Sequence, residues 1–188
     1  MRNLNFQVLG EFHVHHADGE IRIVSRKARA LLAYLALQVG KPQSRFRLTS
    51  LLWEDADQEL GRASLRQALT ALRRSMPRKA QATLVTEGEF VLLDPECTGT
   101  DLEYFLFSVE AGTRRSLDDA VALWRGDLLE GMDVRSSRFD EWLNEQRMVL
   151  RRQMSDALRK LTRLCIAEED EEGALIACTR LLSMEPLD

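Results

Sequence analysis

The sequence is short of the features that mark secreted and membrane proteins. It has three cysteines among 188 residues, widely spaced and without a C-x-x-C pair. That usage argues against a disulfide framework or a zinc site and for reduced thiols. No apolar run approaches the roughly 18 residues of a transmembrane helix, and the first residues lack the apolar core and cleavage site of a signal peptide. We therefore expect a cytoplasmic protein without membrane contact.

Signatures of catalysis and cofactor binding are also missing. The chain has no G-x-x-x-x-G-K-[ST] loop, no G-x-G-x-x-G after a strand, no H-E-x-x-H and no G-x-S-x-G. His13 and His15 would share one face of a strand, with His16 beside them, which raises the question of a metal site. No Cys, Asp or Glu follows at metal-site spacing, so exposed polar histidines are the better interpretation. We expect no enzyme, no cofactor and no metal.

Charge is unevenly distributed along the chain. Residues 1–95 contain 14 lysines and arginines against 10 aspartates and glutamates, whereas residues 96–188 contain 12 against 20. A basic front half followed by an acidic back half is typical of a nucleic-acid-binding domain joined to a protein-binding one. Ordinary scatter of charge would also produce such a difference.

Apolar periodicity predicts an α+β domain over residues 1–95. Three short strands are predicted at Phe6–Leu9, Glu11–His15 and Glu20–Val24, with a hairpin turn at Asp18-Gly19. Three helices follow, the first capped by Ser25, the second capped by Ser44 and the third ended by Pro77. The second helix is expected to bury Phe46, Leu48, Leu51, Leu52 and Trp53. A hairpin of Thr83–Thr86 and Phe90–Leu93 closes the domain.

Beyond Pro95 no strand pattern is visible, so an all-α domain is predicted for residues 96–188. Amphipathic helices are expected over 101–111, 117–129, 138–166 and 174–184. The acidic run 168–172 with Gly173 predicts a turn, and the helices on either side of it resemble a tetratricopeptide unit. Residues 185–188 lie where such a repeat would begin its next helix, so we expect the chain to be an N-terminal fragment of a longer protein.

The most informative segment is 62–76. Five apolar residues recur there at helical spacing and define one buried stripe: Leu65, Ala68, Leu69, Leu72 and Met76. The other positions carry basic or neutral polar side chains without a carboxylate, namely Arg62, Ser64, Arg66, Gln67, Thr70, Arg73 and Arg74. An ordinary solvated helix mixes acids with bases, whereas Arg, Gln, Ser and Thr contact base edges and phosphates. The segment is therefore interpreted as a DNA recognition helix.

The order of motifs along the chain resembles a known family. The first half contributes Val8-Leu9-Gly10, Arg26–Ala36, Leu51-Leu52-Trp53 and Arg62–Leu69, and the second contributes Asp101–Phe105, Leu123–Leu129, Phe139–Leu143 and Arg180–Asp188. Nearly the whole chain thus resembles the SARP-type bacterial transcriptional activators. These combine an OmpR-like winged helix-turn-helix with a helical bacterial transcriptional activator domain.

The resemblance implies a DNA-binding activator. Its third helix would enter the major groove of promoter DNA, its hairpin, or wing, would approach the minor groove, and two copies would occupy direct repeats. The helical domain would take part in homodimer formation or in contact with RNA polymerase. The wing departs from the family pattern, because its short turn carries Glu87 and Glu89 where a basic side chain would favour phosphate contact. The third helix is therefore expected to supply most of the specificity.

Individual contacts follow from position on the helices. Base contacts are predicted for Arg62, Ser64, Arg66, Gln67 and Thr70. Phosphate contacts are predicted for Arg73 and Arg74 on the third helix and, near the starts of the first two helices, for Arg26, Lys27, Arg45 and Arg47. For this second group an ordinary surface role is the alternative. The acidic segment 54–59 either offers a loop to RNA polymerase or is a solvated connector in which Asp57 helps to cap the third helix.

A different class of function stays open on the sequence alone. The chain could be a protein–protein interaction module of a larger signalling protein, with weak or no DNA binding. The acidic wing and the net charge of −4 favour that alternative. DNA binding measured over a salt series separates the two classes, because phosphate contacts make affinity fall steeply with salt.

Overall fold

A computed structural model describes residues 3–184, which form a mixed α/β N-terminal part and a largely helical C-terminal part. The helices are α1 (Arg26–Leu37), α2 (Arg45–Leu52), α3 (Gln58–Ser75), α4 (Asp101–Ala111), α5 (Arg114–Leu123), α6 (Ser137–Ala167) and α7 (Glu171–Met184). The strands are β1 (Leu4–Gln7), β2 (Gly10–Glu11), β3 (His13–His16), β4 (Gly19–Glu20), β5 (Gln43–Ser44), β6 (Leu84–Glu87), β7 (Phe90–Leu93), β8 (Thr98–Thr100) and β9 (Leu128–Glu130). A short 3-10 helix, Arg78–Thr83, joins α3 to β6.

The first strands build a four-stranded sheet in the order β4-β3-β1-β8. β1 pairs antiparallel with β3, placing Phe6 opposite Val14, and both side chains are buried. The hairpin turn predicted at Asp18-Gly19 is confirmed by the pairing of β3 with β4. The strand predicted over 20–24 is shorter than expected, because β4 ends at Glu20.

The first three helices enclose the core of the N-terminal part. Ser25 and Ser44 are the predicted N-caps of α1 and α2, and their hydroxyls accept hydrogen bonds from the third residue beyond each cap. α1 is buried along nearly its whole length, from Ala28 to Ala36. Phe46 was expected in this core, but it is 72% exposed. It lies about 160° around α2 from the buried Leu48, because two residues turn a helix by about 200°.

The expectation that no strand follows Pro95 was wrong. β8 adds to the N-terminal sheet by pairing in parallel with β1, and β9 pairs in parallel with β2. Both strands have three residues, too few to show a period of two, and both pair with partners far away in the sequence. The boundary predicted after residue 95 therefore precedes the last strand of the N-terminal sheet, and the C-terminal part is not purely helical.

Helices α4 to α7 form the C-terminal part, in which neighbouring helices in sequence pack together. Trp124 and Phe139 are buried in this part, and the Trp124 ring lies 5.6 Å from that of Phe105. The turn between α6 and α7 covers only 168–170, since Glu171 and Glu172 already belong to the first turn of α7. Acidic residues are favourable at that position, because the N-terminus of a helix is the positive end of the helix dipole. The next helix expected at 185–188 lies outside the described residues.

The two parts are joined where β2 meets β9. Gly10 has a φ of +110°, a conformation that side chains rarely tolerate, and an added Cβ would lie 3.3 Å from the Arg125 Cβ. Next to this contact, the Asp101 carboxylate at the start of α4 accepts hydrogen bonds from the backbone amides of Val8, at 2.8 Å, and Leu9, at 3.3 Å, and also from Arg125. Within residues 3–184 no helix has the length and apolar character needed to cross a membrane.

Candidate nucleic-acid interface

The site is built on α3, which begins one turn earlier than the sequence suggested. Asp57 is its N-cap, with the carboxylate accepting a hydrogen bond from the Leu60 amide at 2.8 Å. Gln58 and Glu59 therefore belong to the helix rather than to the connection before it. The capping role considered for Asp57 is confirmed. The helix ends at Ser75, just before Met76 and Pro77.

The predicted buried stripe of α3 is confirmed, because Leu65, Ala68, Leu69 and Leu72 and the adjoining Met76 are all buried. On the opposite side lies the exposed polar face of α3, a name we use for five exposed side chains: Arg62, Arg66, Gln67, Thr70 and Arg74. Within residues 3–184 none of its three arginines forms an ion pair. The guanidinium groups are thus free to meet an anionic partner.

Two of the residues predicted to contact DNA do not share this face. Ser64 is half-buried and lies about 160° around the helix from Arg66. Arg73 is also half-buried, and its guanidinium donates to the Leu84 carbonyl at 3.2 Å and to the Thr86 hydroxyl at 3.0 Å. Arg73 therefore holds α3 against β6 rather than extending toward solvent.

The β6–β7 hairpin lies beside the exposed polar face. Arg45, at the start of α2, holds the hairpin turn through its guanidinium, which donates to the Gly88 carbonyl at 3.0 Å, and through its amide, which donates to the Glu89 carbonyl at 2.8 Å. A cleft of about 360 Å³ separates the turn from Arg62 and Arg66. Glu87 and Glu89 are exposed at this turn, which keeps its surface acidic, as the sequence indicated.

The remaining predicted phosphate contacts differ in their surroundings. Arg47 is exposed, near the N-terminus of α2. Arg26 is exposed too, with Asp133 of the C-terminal part 3.8 Å away. Lys27 is half-buried and donates to the Leu52 carbonyl at 2.5 Å and to the Arg135 carbonyl at 3.3 Å. Burial lowers the pKa of Lys27, and these contacts make it a link between the two parts of the molecule instead of a free cation.

One residue of the acidic connection between α2 and α3, Glu54, contacts the start of α6. Glu54 accepts hydrogen bonds from the Ser137 amide at 2.7 Å, the Ser137 hydroxyl at 2.9 Å and the Arg138 amide at 3.3 Å. The Ser137 hydrogen bond, together with these amides, lowers the pKa of Glu54. Glu54 therefore caps α6 from the other part of the chain, while Asp55 and Glu59 remain exposed.

Sequence reasoning missed the contact made by Glu54 and the place of Glu59 within α3. The position of Asp57 could have revealed Glu59, since an N-cap at residue 57 begins the helix at residue 58. No local pattern could have revealed Glu54, because its partners lie more than 80 residues away.

His13, in β3, lies beside an acidic side chain of the same sheet, and its Nδ1 atom is 2.6 Å from the Glu20 carboxylate. Among residues 3–184 no three His, Cys, Asp or Glu side chains are grouped to hold a metal ion.

The family comparison concerns the C-terminal part. Residues 109–188 match the family model described as the bacterial transcriptional activator domain. Residues 109–188 are therefore similar to this domain. This match covers α5 to α7 and the end of α4, the helices beyond the exposed polar face of α3. Regulators with this domain are transcription factors and not enzymes.

A solved structure extends the likeness to the whole chain. The structure titled Mycobacterium tuberculosis EmbR in complex with low affinity phosphopeptide matches with a TM-score of 0.66 at 18% sequence identity, over 98% of this chain and 56% of that chain. The chain thus spans little more than half the length of that relative, and at this identity the match shows a shared fold. No curated protein sequence matches significantly. The two matches confirm the resemblance to SARP-type regulators with an activator domain.

Proposed function

We propose that the protein is a sequence-specific DNA-binding transcriptional activator. In this proposal α1 to α3 and the β6–β7 hairpin act as an OmpR-like winged helix-turn-helix, with α3 as the recognition helix in the major groove. The observation that carries it is the exposed polar face of α3. Three arginines that form no ion pair within residues 3–184, a glutamine and a threonine share one side of an 18-residue helix whose other side is buried. Such side chains donate to base edges and phosphates.

Contacts are assigned by exposure and position on the helix. Arg62, Arg66, Gln67 and Thr70 face the bases, because the N-terminal portion of a recognition helix penetrates the groove furthest. Arg74 and Arg47 meet phosphates. Arg45 and Arg73, by contrast, orient the hairpin against α3. The acidic hairpin turn repels phosphates, so the wing adds little to affinity.

The activator domain supplies the second half of the proposal. SARP-type activators in general bind DNA and interact with RNA polymerase, and the family match supports the same division of labour here. We propose that the chain binds promoter DNA in the bacterial cytoplasm, as two copies on direct repeats, and recruits RNA polymerase through its helical domain. The α6–α7 pair would be the tetratricopeptide-like unit of that domain.

Fluorescence anisotropy with a labelled 30-base-pair duplex tests the DNA-binding half. The Arg66→Ala, Arg74→Ala double variant removes two cations from the exposed polar face, and we expect affinity to fall about tenfold or more. The matched control is the Arg152→Ala, Arg163→Ala double variant, which removes two exposed cations from α6 and should change affinity less than about twofold. If the wild-type protein fails to bind at low salt, or if both variants weaken binding equally, the interaction-module alternative replaces this proposal.

A further inference from the structure

The first turn of α3 brings a carboxylate onto the helix surface proposed to contact DNA. Glu59 is the second residue of the helix, and it is exposed. Residues at steps of four, seven and eleven positions return to the same side of a helix. Glu59 therefore lies in line with Ala63, Arg66 and Thr70, one turn before the exposed polar face begins.

Glu59 lies at a shallow depression in the surface that arginines of α3 also line. This depression, of about 660 Å³, is lined by Asp57, Glu59, Leu60, Arg62, Ala63 and Arg66. Glu59 and two arginines of the exposed polar face thus face the same space. Asp57, also in the lining, is already engaged as the N-cap of the helix.

The Glu59 carboxylate forms no ion pair within residues 3–184, although Arg62 follows three positions later on the helix. A free carboxylate is repelled by DNA phosphates. On a surface that contacts DNA, a carboxylate is favourable only where a base edge donates a hydrogen bond to it. In the major groove the exocyclic amino groups of cytosine (N4) and adenine (N6) are such donors. Cytosine is the better partner for Glu and Asp side chains, because adenine presents its N7 acceptor beside the amino group. The O6 of guanine and the O4 of thymine are acceptors and oppose a carboxylate.

We propose that Glu59 is a specificity-determining residue that selects cytosine in the major groove, beside the bases contacted by Arg62 and Arg66. The proposal rests on the proposed DNA-binding function. The carboxylate accepts a hydrogen bond from the matching base and penalises guanine and thymine at the same position. It also weakens binding to unrelated DNA, since every such site brings phosphates near an unsatisfied negative charge. Glu59 thereby raises discrimination and lowers non-specific affinity.

The competing role for Glu59 is purely structural, because a carboxylate in the first helical turn interacts favourably with the helix dipole. Glu59→Gln removes the charge and keeps the shape of the side chain. A structural role alone would change the melting temperature and would reduce affinity for every duplex by the same factor. A specificity role changes the base preference at one position.

The test is selection from a duplex library with 20 randomised base pairs, followed by anisotropy on the selected duplex and on its single-position variants. Wild-type protein and the control Glu145→Gln, an exposed carboxylate on α6, should select cytosine at one position. Glu59→Gln should lose that preference by about tenfold, the usual cost of one mismatched base pair, while its affinity for unselected duplex rises or stays constant.

Two results overturn the inference, and they differ in what they imply for the function. If Glu59→Gln selects the same base at every position as wild type, Glu59 has no role in specificity and the DNA-binding proposal stands. If wild-type protein enriches no sequence and binds no duplex, the proposed function fails, and the role of Glu59 fails with it.

Discussion

At the scale of single residues, the arginines near the proposed interface separate by what their guanidinium groups touch. Arg73 and Arg74 are neighbours in the sequence, yet Arg73 donates to Leu84 and Thr86 of β6 while Arg74 is exposed. Sequence reasoning gave both the same role, because it could place them on the helix but could not show which neighbour each would meet. The pair therefore offers a matched comparison.

Arg73→Ala should lower the free energy of unfolding by about 1–2 kcal/mol, since it removes a charged donor from the carbonyl of the buried Leu84 and from the hydroxyl of the half-buried Thr86. Arg74→Ala should leave stability within about 0.5 kcal/mol and instead reduce the slope of log affinity against log salt by about 0.9, the value for one lost phosphate contact. Urea unfolding and anisotropy over a salt series measure the two effects. Equal changes in stability, or a loss of slope in Arg73→Ala alone, would contradict the assignment.

At the scale of elements, the sequence correctly predicted the helix caps, buried faces and turns that depend on local residue patterns. The caps Ser25 and Ser44, the buried stripe of α3 and the closing hairpin are all found where the pattern placed them. β8, β9 and the exposed Phe46 were missed, because pairing between distant segments and the packing around a short helix leave no periodic trace. The start of α3 was missed because the acidic, polar first turn of the helix resembles a loop in sequence.

The N-cap of α3 can be tested by comparing two acids of that connection. Asp57→Ala should lower the free energy of unfolding by about 1 kcal/mol, because the Leu60 amide loses its acceptor. Asp55→Ala is the control, since this exposed carboxylate lies two residues earlier, and it should change stability by less than about 0.5 kcal/mol. Urea denaturation measures both. An equal effect of the two substitutions would mean that α3 starts later, which would exclude Glu59 from the helix.

At the scale of the whole molecule, the N-terminal and C-terminal parts are joined by several contacts of different kinds. β2 pairs with β9, and the Asp101 carboxylate accepts hydrogen bonds from the amides of Val8 and Leu9. Glu54 caps α6, and Lys27 donates to carbonyls of both parts. These contacts fix the orientation of the C-terminal part relative to α3. A promoter that positions α3 would therefore also position the surface proposed to contact RNA polymerase.

The Glu54 contact gives this connection a pH dependence. The Ser137 hydrogen bond holds the pKa of Glu54 below its ordinary value of 4.5, so the folded state favours the ionised form. The resulting stability is fully present above pH 4.5 and is lost as the pH falls through the lowered pKa. Glu54→Gln should melt at a lower temperature than wild type at pH 7, and the difference should shrink on acidification below pH 4.5. The control Glu145→Gln should show no such trend, and a difference independent of pH would rule out this role.

Methylation of guanine N7 by dimethyl sulfate, on a duplex selected from the random library, tests the central claim most directly. Guanine N7 lies in the major groove and is the acceptor for a bidentate arginine. If α3 enters that groove, saturating wild-type protein should protect at least one guanine, and Arg66→Ala should lose protection at a single guanine while keeping it elsewhere. Protein that binds the duplex but protects no guanine N7, and shields only adenine N3 in the minor groove, would contradict the account.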